Sequence, residues 1–281
     1  MTTATTTVSE DALGKVRQAP DRMFYATGVL LDAQDFTAEQ LYHRGRLARA
    51  LAYLHGSGTV AGLEVKWEKV PERRDERLTV KAGIALDRVG RIIEVPGDTC
   101  IRLDRWFDAQ PDAHLIGGFK PSVSGVVVDV FVRYVACERG KTPAFASGPF
   151  DALDAVQPAR LRDGYEVTLY VRQEPDPPPL PQPLWPALSG DDATRKSDLQ
   201  AAIFAAWREG NDAWDKDGLK PLPEHVPGQD ATSVLLARLV LPATLPGGGG
   251  RPVRNAADIV PNNGVRRFVY PPAALARWLG L

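Results

Sequence analysis

The residues with the widest chemical scope are few and poorly placed for chemistry. The four histidines, His43, His55, His114 and His225, are scattered along the chain. No His-Glu-x-x-His, paired Cys-x-x-Cys or Asp-x-Asp-x-Asp-Gly loop is present, so no metal site is predicted. His43 and His55 fall on one predicted helix but twelve residues apart, too far to share an ion. The cysteines, Cys100 and Cys137, follow no disulfide spacing and read as reduced thiols that pack as small hydrophobes. Gly56-x-Gly58-x-x-x-Gly62 invites a phosphate loop. Such a loop needs glycines followed by a helix N-terminus, where free N–H groups face the anion. Here the order is helix, glycines, strand, and the helix turns its C-terminus to the loop. Ser57 lacks the Gly-x-Ser-x-Gly elbow, because His55 and Thr59 flank it. His55 reads as a helix C-terminal cap. Asp151 and Asp154 are paired carboxylates at helical spacing and read as a solvated helix start; Asp191 and Asp192 likewise precede a helix. No catalytic, cofactor or metal residue is predicted, and the chain is expected not to be an enzyme.

The aromatic residues suit contact better than chemistry. Trp185, Trp207 and Trp214 lie in segments read as peripheral and are the candidate interface residues; Trp278 is peripheral too. Exposed tryptophan is enriched at protein interfaces.

The elements that would carry these residues begin after a threonine-rich arm, 1–22. A helix is predicted at about 36–55. Thr37 and Gln40 have capping-box spacing, Leu41, Leu47, Leu51 and Leu54 recur on the helical period, and Gly56 and Gly58 stop it. A β-region follows. Leu78, Val80, Ala82, Ile84 and Leu86 keep period two, Asp87–Arg91 reads as a turn around Gly90, and Ile92, Ile93 and Val95 return. Pro71–Arg77 is read as a solvated loop. Further strands are predicted at Val126–Cys137, Tyr165–Val171, Ser233–Leu241 and Arg267–Tyr270, with a helical insertion at about Ala193–Trp207 and a hairpin tip at Gly247–Gly250. Strands in sequence without βαβ alternation predict an α+β fold. It should be mostly antiparallel β, sandwich or barrel-like, with one N-terminal amphipathic helix and a helical insertion. The expected division is arm 1–22, a helix plus β-meander domain 23–105, and a second β-rich region 106–281 interrupted at about 175–230.

Composition bounds the partners. The chain has 281 residues and a net charge of -1, which offers no field for nucleic acid or an anionic membrane. No apolar run approaches the ~20 residues needed to span a bilayer, and the N-terminus lacks the basic start and apolar core of a secretory signal. The chain is therefore expected in the cytoplasm, with release inside a larger extracellular particle as its other route. The 24 prolines concentrate in Pro175–Pro186, which is predicted to be neither helix nor central strand.

Two segments carry a resemblance. The first joins Phe24-Tyr-Ala-Thr-Gly-Val-Leu-Leu-Asp-Ala-Gln-Asp-Phe36 and Gln40-Leu-Tyr-His-Arg-Gly-Arg-Leu47. It continues through Leu54-His-Gly-Ser-Gly-Thr-Val-Ala-Gly-Leu-Glu-Val65 and Val80-Lys-Ala-Gly-Ile-Ala-Leu-Asp-Arg-Val-Gly-Arg-Ile-Ile-Glu-Val95. The second is Pro158-Ala-Arg-Leu-Arg-Asp-Gly-Tyr-Glu-Val167. Together they resemble a group of proteins found with extracellular contractile injection systems, the phage-tail-like particles of bacteria. The match covers roughly residues 1–170, is echoed by Val234–Leu241, and brings no catalytic residues. It implies a structural or accessory particle component in the baseplate, fibre-attachment or cap region. Its partners would be other proteins of the assembly, with homo-oligomerisation open to it. The competing expectations are a stand-alone carbohydrate- or peptide-binding β-module and a hydrolase using His55 or the Asp151/Asp154 pair.

Overall fold

The computed structural model describes residues 7–8, 21–70, 75–143, 156–174, 181, 189–215, 218–255 and 257–280. After a two-residue strand, β1 (Thr7–Val8), the first helix, α1 (Ala33–His55), begins at Asp32. The Asp32 carboxylate accepts from the N–H groups of Gln34 (2.7 Å) and Asp35 (3.1 Å), and the Asp35 carboxylate accepts from the N–H of Asp32 (2.9 Å). This reciprocal cap satisfies donors that the first turn leaves free. It lies one turn before the predicted Thr37–Gln40 box, because Thr37 is already helical and its hydroxyl donates to the Ala33 carbonyl (2.8 Å). Gly56 ends the helix as predicted, its N–H donating to the Ala52 carbonyl (3.0 Å).

The β-meander comprises β2 (Gly58–Gly62), β3 (Val65–Val70), β4 (Asp75–Val80), β5 (Gly83–Leu86), β6 (Ile92–Val95) and β7 (Thr99–Arg102). β2-β5-β6 and β3-β4-β7 are two halves of one three-stranded antiparallel meander, folded over at a corner. The corner is backbone against backbone. Leu63 N–H donates to Ala82 O (3.2 Å) and Lys81 N–H to Glu64 O (2.9 Å). A Cβ on Gly62 would stand 2.1 Å from the Ala82 carbonyl oxygen, and one on Gly83 would stand 2.3 Å from that of Ala61. Only glycine permits this approach. The corner also resets the side-chain phase. Leu78 and Val80 are buried as predicted, but Ala82 is exposed, and beyond the bend Ala85 is buried while Ile84 is only half-buried. The predicted unbroken period from Leu78 to Leu86 therefore fails at Lys81–Ala82. Of the predicted loop, Pro71–Arg74 lies outside the described residues, and Asp75–Arg77 belong to β4.

Two short helices, α2 (Leu103–Asp108) and α3 (Asp112–Gly118), and a short strand, β8 (Phe119–Lys120), lead to β9 (Gly125–Pro143). β9 is the central strand of the second sheet. β10 (Val156–Val171) pairs along one edge of it. After the helical insertion, α4 (Asp192–Asp212), and a small hairpin, β11 (Trp214–Asp215) and β12 (Gly218–Leu219), the strand β13 (Val234–Thr244) takes the other edge over 125–132. β14 (Val253–Arg254) closes a hairpin with β13 around the predicted glycine tip, and α5 (Pro272–Trp278) follows. The predicted strand Arg267–Tyr270 is not one. Phe268 makes a single parallel bridge to Thr59, in a segment whose neighbouring side chains bond sideways to Glu224 and Leu63.

Every strand pair is antiparallel and the fold is α+β, with no closed barrel among the described residues. Val126, Val128, Val130 and Val132 share one face of β9 and are fully buried, each contributing about 1.5–3 kcal/mol. They join Leu63, Val65, Leu78, Val80 and Ile93 of the meander in one hydrophobic cluster.

Candidate functional site

The opposite face of β9 carries Val127, Asp129, Phe131 and Arg133, and here the buried charge collects. Asp129 is fully buried. Its carboxylate receives two bonds from Arg238 on β13 (2.7 and 2.8 Å) and stands 3.4 Å from Arg172. Arg172, just past β10, also pairs with Glu174 (2.8 Å) and donates to the Glu224 carbonyl. Arg267 closes on the Glu224 carboxylate. Burial pushes Asp129 above the usual carboxylate range, against the pull of Arg238. Three carboxylates, Asp129, Glu174 and Glu224, pair here with three guanidiniums, Arg172, Arg238 and Arg267. Its members bind the 218–233 segment to the sheet, with the His225 ring tilted against Phe131 and the ring centres 5.8 Å apart. His225 Nδ1 accepts from Leu222 N–H (2.9 Å), so Nε2 carries the proton and donates to Ser233 O (2.9 Å). Burial lowers its pKa.

Ser57 borders a small cleft with Arg88, Arg267 and Ser233, whose free space of about 10 Å³ matches roughly one water. Arg88 donates to the carbonyls of Lys220 (2.5 Å) and Ala231 (3.4 Å); burial holds its pKa down to about 10. His55 is exposed on the last turn of α1. Asp191 caps α4 by accepting from Thr194 N–H (2.8 Å), as predicted, and this bond lowers its pKa. Asp151, Asp154, Trp185 and the proline run apart from Pro181 lie outside the described residues, as does the Trp214 side chain. Trp207 stacks on Tyr53 at 5.8 Å, with the Arg49 guanidinium 5.0 Å from its ring centre, so it joins α4 to α1 while remaining 55% exposed. Among the described residues no three His, Cys, Asp or Glu side chains gather as a metal site, and no helix is long and apolar enough to cross a membrane.

The surface feature that the residue patterns did not single out is α1 itself. Ala48 is its one buried residue. There the helix backbone seats on the Asp87–Arg91 turn so closely that a Cβ on Gly90 would stand 1.8 Å from the Ala48 carbonyl oxygen. That turn is held by Asp87, a fully buried carboxylate that accepts from Val89 N–H (3.0 Å), Arg91 N–H (2.9 Å) and Arg91 Nε (2.6 Å). At about 100° per residue, Leu41, Ala48 and Ala52 form the inward face. Phe36, Leu47 and Leu54 fall within about 20° of one another on a separate face, along about 27 Å of helix. They are 51%, 56% and 76% exposed. Phe24 and Leu30, just before the helix, and Phe204 on α4 are more exposed still. The helical period that identifies α1 does not by itself divide Leu41, Leu47, Leu51 and Leu54 between the inward and the exposed sides.

No protein-family model matches the chain, and no curated protein sequence matches it. Among solved structures, one chain of a complex described as the type VI secretion system TssK-TssF-TssG baseplate subcomplex aligns with 87% of this chain, at 12% identity and a TM-score of 0.32. The alignment spans 62% of that neighbour's length. A TM-score of that size does not establish a shared fold.

Proposed function

We propose that the chain is a non-catalytic structural or accessory component of a contractile phage-tail-like particle, acting through protein–protein contacts in its baseplate, fibre-attachment or cap region. The observation that carries the proposal is the row of exposed Phe36, Leu47 and Leu54 along one line of α1. Isolated apolar residues are common on protein surfaces, but three in line on a well-capped helix, with Gln40 and His43 between the first two, support a contact surface. The residues that resemble the particle proteins, Phe24–Val95, contain this helix, and their glycines serve the corner and the turn that hold it in place. The segment thus supports presentation of a helix, with partners drawn from the assembly and the finished particle as the route out of the cytoplasm.

The test is biochemical. Intact particles purified from the native host should contain the chain, and its deletion should change particle assembly, attachment or firing. Particles that lack the chain and are indifferent to its loss would overturn the reading. Glycan or peptide binding by the isolated chain would favour the β-module instead.

A further inference from the structure

β9 outruns the rest of its sheet. β13 covers one edge over 125–132 and β1 meets that edge at 136–137, while β10 stays paired with β9 out to Pro143. From Glu138 on, β9 and β10 form a two-stranded ribbon among the described residues, with 138–143 and 158–163 exposed. Side chains directly opposite in an antiparallel pair share a face, and faces alternate along each strand. The register therefore sorts the charge of the ribbon. Arg139 lies opposite Arg160, Lys141 opposite Pro158 and Cys137 opposite Arg162. One face thus carries Arg139, Lys141, Arg160 and Arg162. The acids take the other face: Glu138 lies opposite Leu161, and Asp163, opposite Ala136, accepts from the Tyr134 hydroxyl (2.6 Å).

All four cations are exposed, and among the described residues none of them pairs with a carboxylate. Glu166, the next carboxylate along that face, is held by Arg133 (2.6 Å). Like charges directly opposite work against strand pairing, and Arg139 and Arg160 are such a pair on a ribbon that is marginal alone. An anion laid across the face removes that repulsion. Three of the four cations are arginine, whose planar fork pairs with carboxylates. The exposed ribbon is about 20 Å long, the reach of a short segment. The rest of the chain is net negative, which repels a long polyanion such as nucleic acid beyond the ribbon. We propose that the Arg139–Lys141–Arg160–Arg162 face is a docking surface for an acidic segment of a protein partner. The proposal rests on β9 and β10 and not on α1, so it stands or falls apart from the particle reading.

A labelled oligoglutamate peptide, titrated with the full chain and followed by fluorescence anisotropy, tests it. The wild-type chain should bind the peptide at low salt and release it at high salt. Arg139→Gln with Arg160→Gln should weaken binding about tenfold. Arg46→Gln with Arg105→Gln removes the same charge from exposed arginines on α1 and α2 and should leave binding unchanged. No binding by the wild-type chain, or equal loss in the two variants, would overturn the proposal. Tighter binding to a DNA duplex of equal charge would overturn it in favour of nucleic acid. A second readout needs no variant. Bound peptide should slow amide hydrogen exchange in 138–142 and 159–162 and leave 126–132 unchanged; protection confined to other segments would overturn the proposal as well.

Discussion

Asp87 shows how much a single side chain is asked to hold. Its buried carboxylate satisfies two backbone N–H groups and the Arg91 guanidinium, which also donates to Thr232 (2.9 Å). Asp87→Ala should cost about 3–5 kcal/mol, because it leaves a largely buried arginine without its counter-charge; urea unfolding monitored by circular dichroism would measure it. His225 makes a pH prediction. Its folded pKa is lowered by burial, so the unfolded chain takes the proton first as pH falls. Stability from the neutral imidazole is therefore complete above the unfolded value of about 6.5 and declines as pH drops below it. The unfolding midpoint should fall from pH 7 toward pH 5, and His225→Gln should lose that part of the slope. The pattern around Asp87–Arg91 exposed its turn in advance, since glycine and aspartate have local roles. The Asp129–Arg172–Arg238 cluster was not legible, because its members come from three segments that only the fold brings together.

At the scale of elements, α1 is anchored narrowly. Gly90→Ala would force a methyl group to 1.8 Å from the Ala48 carbonyl oxygen at a positive φ of 87°. It should destabilise the chain by well over about 1 kcal/mol, measured as a lower Tm. By contrast, changing Phe36, Leu47 and Leu54 together to serine should shift stability by only about 0.5 kcal/mol per position, since these side chains face solvent. Helix existence and its glycine stop were readable because both are local. Its start was misplaced by one turn because Asp32–Asp35 and Thr37–Gln40 offer the same spacing, and only the backbone decides between them. The strand period was readable on each side of the Gly62–Gly83 corner but not through it. A bend made by backbone contact leaves a glycine in the sequence, not the direction of the next side chain.

For the whole molecule, one hydrophobic cluster joins the meander to the long sheet, and α1 lies outside it, seated at Ala48 on the Asp87–Arg91 turn. The overall class followed from strand order, whereas the free face of α1 depends on which side of the helix the meander occupies. In the proposed role, this row of side chains places the chain in a particle. The direct measurement compares particles purified from cells expressing the wild-type chain with those expressing the Phe36→Ser, Leu47→Ser, Leu54→Ser variant, with both chains first shown to have matching circular dichroism and Tm. The expected result is wild-type chain sedimenting with sheath and tube and a folded variant left in the soluble fraction. A variant that enters particles as fully as wild type, or a wild-type chain absent from intact particles, would contradict that role.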